Sequence, residues 1–123
     1  MRIRLAAGLI LGCVVAFLLA GCAVFRPTDQ VRFGLWASEQ NLWDEAIFRW
    51  KKALAADPKS VAARNNLAVA YEKKGLFEEA LKEYEEALKL DPNNTYVKSN
   101  YKNCQENIQP LKKEAAETKN EKK

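Results

Sequence analysis

Between residues 28 and 111 apolar side chains recur three and four positions apart, the spacing that lines one face of an α-helix. Four such stretches stand in two pairs. The first members run roughly over residues 28–40 and 60–74, the second members over Trp43–Ala56 and Phe77–Leu90. Asp57-Pro58 and Asp91-Pro92 close the second members, because the residue before a proline avoids the α region and proline has no N–H to donate. Ser60 suits the start of the next helix, where its side-chain oxygen satisfies an unpaired first-turn N–H. A fifth stretch begins at Thr95, with Val97, Tyr101, Cys104, Ile108 and Leu111 on one face and Lys, Ser, Asn and Glu on the other. Pro110 is expected to end or kink it. Residues 112–123, charged and poor in large apolar groups, are expected to form a disordered tail.

The two pairs are copies of one another. Displaced by 34 residues, Gly34 falls on Ala68, Ala46 on Ala80, Trp50 on Tyr84, Ala53 on Ala87, Leu54 on Leu88 and Asp57-Pro58 on Asp91-Pro92. The small residues at Gly34/Ala68, Ala46/Ala80 and Ala53/Ala87 let the helices of a pair approach closely, while Trp50, Tyr84 and Tyr71 fill the space between pairs. Trp43 and Trp50 are expected in the core. Trp36 has two readings: filling the space beside small Ala37, which is the expected one, or lying on the open face of the first pair to meet a partner or a membrane.

A different pattern opens the chain. Arg2 and Arg4 precede an uncharged apolar run, residues 5–20. Crossing a bilayer core of about 30 Å at 1.5 Å per residue takes roughly 20 residues, so this run is short for a membrane span. It has the basic start and apolar middle of a secretory signal, an uncleaved anchor being the alternative. Either way the remainder lies outside the cytoplasm.

Charge and reactive groups narrow the function. The formal net charge is +4, but Arg2 and Arg4 belong to the leader, which leaves 18 basic against 16 acidic side chains from Cys22 onward. That surplus resides in the tail, with five Lys and three Glu between residues 112 and 123. The folded part is near neutral, so no basic face for nucleic acid is expected. Histidine is absent, which removes the commonest general base and metal ligand. The three cysteines, Cys13, Cys22 and Cys104, have no metal-ligand or CxxC spacing. No catalytic residue, metal or cofactor is therefore expected. Glu78-Glu79 and Glu85-Glu86 lie at helical spacing from Lys82 and Lys89 and read as a solvated, salt-bridged face. Cys104 reads as a small buried hydrophobe of the last helix, with an intermolecular disulfide as the alternative.

Two resemblances add to this. Leu19-Ala20-Gly21-Cys22, at the end of the apolar run, resembles the lipobox of bacterial lipoproteins. It implies cleavage after residue 21 and a lipidated Cys22, whose several acyl chains would anchor the protein stably. Ala23 follows where Asp would resemble an inner-membrane retention signal, so the resemblance implies the outer membrane, facing the periplasm, in the cell envelope. The tether, residues 22–27, spans less than ~20 Å at ~3.5 Å per residue and keeps the first pair near the lipid headgroups.

The 34-residue period resembles the tetratricopeptide repeat (TPR), in Leu67, Ala68, Tyr71, Gly75, Phe77, Ala80, Tyr84, Ala87 and Pro92 of the second copy and Gly34, Trp43, Ala46, Trp50, Ala53 and Pro58 of the first. The first copy departs at Ala37, where an aromatic is usual, and at Asn41, where glycine usually makes the turn; asparagine is the next-best residue for that left-handed conformation. The resemblance implies an all-α protein: two TPR hairpins, residues 28–60 and 61–94, then a capping helix, 95–111, in a short α-solenoid.

It also implies a function. The first helix of each hairpin would line a concave groove that holds an extended protein or peptide segment. The family's groove positions fall on Arg32 and Leu35 in the first hairpin, on Asn65, Asn66, Val69 and Lys73 in the second, and on Asn100 and Asn103 in the cap. Val31, Glu39 and Ser99 fall there too. Arg32, Asn66 and Asn100 repeat at the 34-residue spacing and would form a ladder, unless asparagine is simply an ordinary choice there. The basic clamp by which some relatives grip a C-terminal carboxylate is not implied, since only Asn66 of it is in place. The resemblance thus implies a non-enzymatic scaffold in the envelope. Self-association of the first hairpin through Val31, Phe33 and Trp36, giving a homo-oligomer, is the alternative.

Overall fold

The computed structural model describes residues 27–120. The expected signal peptide (1–21), Cys22 and all of the tether but Pro27 lie outside the described residues, as does the end of the tail, 121–123. Five α-helices follow: α1 Pro27–Glu39, α2 Trp43–Ala56, α3 Val61–Lys73, α4 Phe77–Leu90 and α5 Thr95–Asn120. No strand occurs among the described residues. α1 packs on α2 and α3 on α4 as two hairpins; α2 against α3 joins them, and α5 lies along α4.

The turns form for identical reasons in both copies. Asn41 (φ 59°) and Gly75 (φ 73°) take the left-handed conformation that reverses the chain. Leu42 N–H then donates to Ala37 O and Leu76 N–H to Tyr71 O, both at 2.9 Å, so carbonyls at the helix end are satisfied as in a Schellman turn. The second helices stop at Asp57 and Asp91, whose backbones have left the α region (φ −135° and −136°) ahead of their prolines. Each carboxylate accepts a backbone N–H two residues on, from Lys59 at 3.1 Å and Asn93 at 3.3 Å. Ser60 Oγ caps α3 through Ala63 N–H (3.3 Å), and Asn94 Oδ1 caps α5 through Val97 N–H (3.1 Å).

The core forms two buried clusters. Ala37, Ala46, Trp50, Leu67 and Ala70 make the first; Ala68, Ala80, Tyr84, Ala87, Val97 and Cys104 make the second, and half-buried Tyr71 touches both. Burying each large side chain contributes roughly 1.5–3 kcal/mol. Gly34 and Trp50 show why size is specified: a β-carbon on Gly34 would lie 2.4 Å from Trp50 Nε1. That Nε1–H donates to Val31 O at 3.2 Å, which satisfies the one polar atom the indole buries.

Three expectations need correction. Trp36 does not fill the space beside Ala37. It is 50% exposed and leans on Phe33, ring centroids 5.2 Å apart, while Ala37 is itself fully buried. Gln30, Gly34 and Ala37 form the buried stripe of α1, and Trp36 lies about 100° around the helix from it. Pro110 does not end the last helix; α5 continues to Asn120, so residues 112–120 are helical rather than a disordered tail. Glu106, Gln109 and Pro110 are exposed, so water reaches the carbonyl that the missing proline N–H leaves unpaired. Leu111 is 48% exposed although it shares a helical face with Val97, Cys104 and Ile108, which are buried.

Candidate peptide-binding groove

α3 and α5 stand side by side, with α4 behind them, and two adjoining depressions open along that seam. The larger number of predicted residues meets in the first, a groove of about 380 Å³: Val69 and Lys73 from α3 and Asn100 and Asn103 from α5. Its lining is completed by Glu72, Phe77, Tyr84 and Asn107. The second, about 390 Å³, is lined by Asn65 and Asn66 together with Val61, Ala62, Asn94, Tyr96 and Val97. Arg32 and Leu35 are both exposed on α1 and line neither depression.

The asparagines are arranged differently from a simple ladder. Asn65, only 4% exposed, stands between the other two. Asn100 Nδ2–H donates to Asn65 Oδ1 at 3.0 Å, and Asn65 Nδ2–H donates to Asn66 Oδ1 at 3.5 Å. The chain of amides gives Asn100 and Asn66 opposite polarity toward solvent: Asn100 keeps its carbonyl oxygen as an acceptor, and Asn66 keeps its NH₂ as a donor. An extended backbone carries one of each per residue. Arg32, one hairpin away, takes no part in it.

The groove floor is Tyr84 and Glu72. Tyr84 is fully buried, and its hydroxyl donates to Glu72 Oε1 at 2.5 Å. Burial, reinforced by that hydrogen bond, pushes the phenol far above its ordinary value, so Tyr84 stays a donor. Burial likewise pushes the Cys104 thiol up, to about 11, with the Glu72 charge adding to the effect. Cys104 is fully buried, its Sγ 3.9 Å from Phe77 O, as the reading of a core hydrophobe expects.

The paired glutamates are engaged on the surface, partly by other partners than expected. Glu86 meets Lys89 at 2.6 Å and Glu78 meets Lys112 at 3.0 Å, while Glu85 accepts from Tyr101 Oη at 2.9 Å. Lys82 forms no ion pair among the described residues. No group of three or more His, Cys, Asp or Glu that could hold a metal occurs among the described residues.

Sequence reasoning missed Glu72, Phe77, Tyr84 and Asn107. Phe77 and Tyr84 carry the repeat pattern, which reads as packing; the structure puts half-buried Phe77 at the side of the groove and fully buried Tyr84 beneath it. Asn107 had a legible signal, because Asn100, Asn103 and Asn107 follow three- and four-residue steps and make one amide stripe along α5. Glu72 had none; what marks it is the hydroxyl that α4 delivers to it.

Comparison with known proteins adds the following. A solved structure similar in fold is the first TPR of Spaghetti (RPAP3), bound to the HSP90 peptide SRMEEVD; it is 22% identical, the match covers 68% of this chain and 93% of that one, and the TM-score is 0.42. No protein with a curated description matches the sequence. The family model for the tetratricopeptide repeat matches residues 32–95, more than half of the chain and the same span that the 34-residue period, the paired Schellman turns and the paired Asp-Pro stops mark out. The chain belongs to the tetratricopeptide repeat family.

Proposed function

We propose that this protein is a membrane-anchored lipoprotein of the cell envelope that works as a scaffold, holding an extended segment of another protein between α3 and α5. Tetratricopeptide repeats are in general interaction modules rather than catalysts, and that coarse function follows from family membership. The finer reading rests above all on the Asn100–Asn65–Asn66 chain, which sets one free acceptor and one free donor along the seam. Val69 and Phe77 supply apolar contact beside them. The ligand is an internal extended segment, not a chain end, because Val31, Leu35, Tyr96 and Asn100 occupy the positions of a carboxylate clamp. The leader and lipobox supply the anchor: lipid on Cys22, outer membrane, periplasmic side. Two hairpins offer little groove area, and confinement to a membrane offsets this by raising the local concentration of a membrane-bound partner.

The test compares wild type, Cys22→Ser and an Asn66→Ala/Asn100→Ala double variant, each expressed with its leader, by membrane flotation and quantitative cross-linking. Cys22→Ser is expected to leave the membrane fraction, and the double variant to stay there while losing its cross-linked partners. Retention of Cys22→Ser on membranes refutes the anchor; an unchanged partner profile in the double variant refutes the groove.

A second reading has its own observation. Phe33 and Trp36, 37% and 50% exposed, stand 34 positions before Leu67 and Ala70, which are buried against the first hairpin. The first hairpin thus shows large rings on the face by which the second hairpin docks, and self-association through that face accounts for them.

A further inference from the structure

Glu72 combines two features: it lines the groove half-buried, and it enters no ion pair among the described residues, whereas Glu45, Glu78, Glu83, Glu86, Glu106 and Asp44 each meet a lysine or arginine. It is half-buried at the groove floor, and the donors that reach it, the Tyr84 hydroxyl at 2.5 Å and the Cys104 thiol, are both neutral. An ionised carboxylate has about four acceptor sites, so one hydroxyl and one weakly donating thiol leave part of its capacity open toward the groove. A partly desolvated charge without a counter-charge is costly, and a ligand that supplies the counter-charge recovers that cost. The buried tyrosine holds the carboxylate in place in advance, so little side-chain freedom is lost on binding.

We infer that the groove seats one cationic side chain, Lys or Arg, on the Glu72 carboxylate, while the Asn66, Asn100, Asn103 and Asn107 amides hold the backbone on either side. This rests on the groove reading above and adds the chemistry of the partner. Val69 and Phe77 border the groove and cover the aliphatic stem of such a side chain. Lys73, exposed at the rim, carries the opposite charge, so the recognised segment has a single basic residue among neutral or acidic neighbours, not a polybasic run.

A spot array of random dodecapeptides, acetylated and amidated so that their ends carry no charge, tests this with the purified full chain and its Glu72→Gln variant. Glutamine keeps the shape and still accepts from Tyr84, so the variant is expected to fold; its far-UV spectrum and melting temperature confirm that both proteins are compared folded. Wild type is expected to select peptides with one Lys or Arg and to bind a chosen arginine peptide about tenfold more tightly than its citrulline counterpart, a difference of about 1.4 kcal/mol. Glu72→Gln is expected to bring the two to one affinity. Peptides bound without basic preference, or a preference that survives Glu72→Gln, overturn the cation site and leave the groove standing. An array on which wild type binds nothing overturns the groove itself, and this inference with it.

Discussion

Gly34 lets α1 approach the Trp50 ring of α2. Glycine inside a helix ordinarily costs about 1 kcal/mol relative to alanine, so Gly34→Ala should help α1 as an isolated helix. In the folded chain the new β-carbon would lie 2.4 Å from Trp50 Nε1 and 2.7 Å from Trp50 Cε2, both part of a rigid, fully buried ring. Overpacking of that kind costs about 1–3 kcal/mol, and displacement of the indole also strains its bond to Val31 O. The clash outweighs the helix gain. Gly34→Ala is expected to lower the melting temperature through overpacking, while Ala68→Gly, at the equivalent place beside Tyr84, is expected to lower it through the opposite cause, the helix term together with the loss of one buried methyl. A thermal melt in which Gly34→Ala is as stable as wild type would show that α1 and α2 are less tightly apposed than this. Other residue roles were legible from chemistry alone. Ser60 caps, Asn41 turns and Cys104 is buried because each needs only its neighbours or its helical face. Trp36 was not, because its burial depends on whether another hairpin stands in front of it.

Helices α3, α4 and α5 meet at one small cluster of titratable groups, and this makes their association sensitive to alkali. Tyr84 on α4 and Cys104 on α5 lie on either side of Glu72 on α3. Both proton donors are held above their ordinary values, mainly by burial, Cys104 at about 11 against an unfolded value near 9.0. A raised value means that the folded state keeps the proton more tightly than the unfolded one. The stability so gained is therefore fully present below pH ~9 and is lost as pH rises through about 11. Melting temperatures followed from pH 7 to 11 should fall faster for wild type than for a Tyr84→Phe/Cys104→Ala variant, which has nothing to ionise there. Parallel slopes would show that the two groups titrate alike in folded and unfolded chains. At this scale the sequence was a good guide to where helices start and stop, since caps and Asp-Pro stops act within one turn. It was a poor guide to α5, where Pro110 argues locally for a stop but exposed, water-accessible backbone lets the helix run on to Asn120.

The whole molecule is asymmetric. Its C-terminal end is covered by α5, which buries Val97, Cys104 and Ile108. Its N-terminal end shows Phe33, Trp36 and Phe48, with the Arg49 guanidinium 4.2 Å from the Phe33 ring and 5.5 Å from that of Phe48. If copies associate, this is the end they use. Sedimentation velocity of the domain should then show a concentration-dependent dimer that Phe33→Ser/Trp36→Ser abolishes without unfolding the chain, both side chains being substantially exposed. A wild-type domain that stays monomeric at high concentration removes the self-association reading and leaves that end to another occupant.

That Gly34 lies against Trp50 came from the structure; the sequence by itself determined the repeat, the five helices, their turns and the places of small residues at Gly34 and Ala68 and of large ones at Trp50 and Tyr84. These follow from contacts short in sequence or repeated at a constant interval, which a linear pattern records. Tertiary structure alone decided which asparagines are committed and which are free. Asn65 and Asn66 are neighbours of similar appearance, yet one is buried as a bridge and the other presents a donor, because α5 brings Asn100 to Asn65 from 35 positions away. It decided likewise that Glu72 lies at a groove floor beneath the hydroxyl of Tyr84, a meeting between helices that no periodicity encodes.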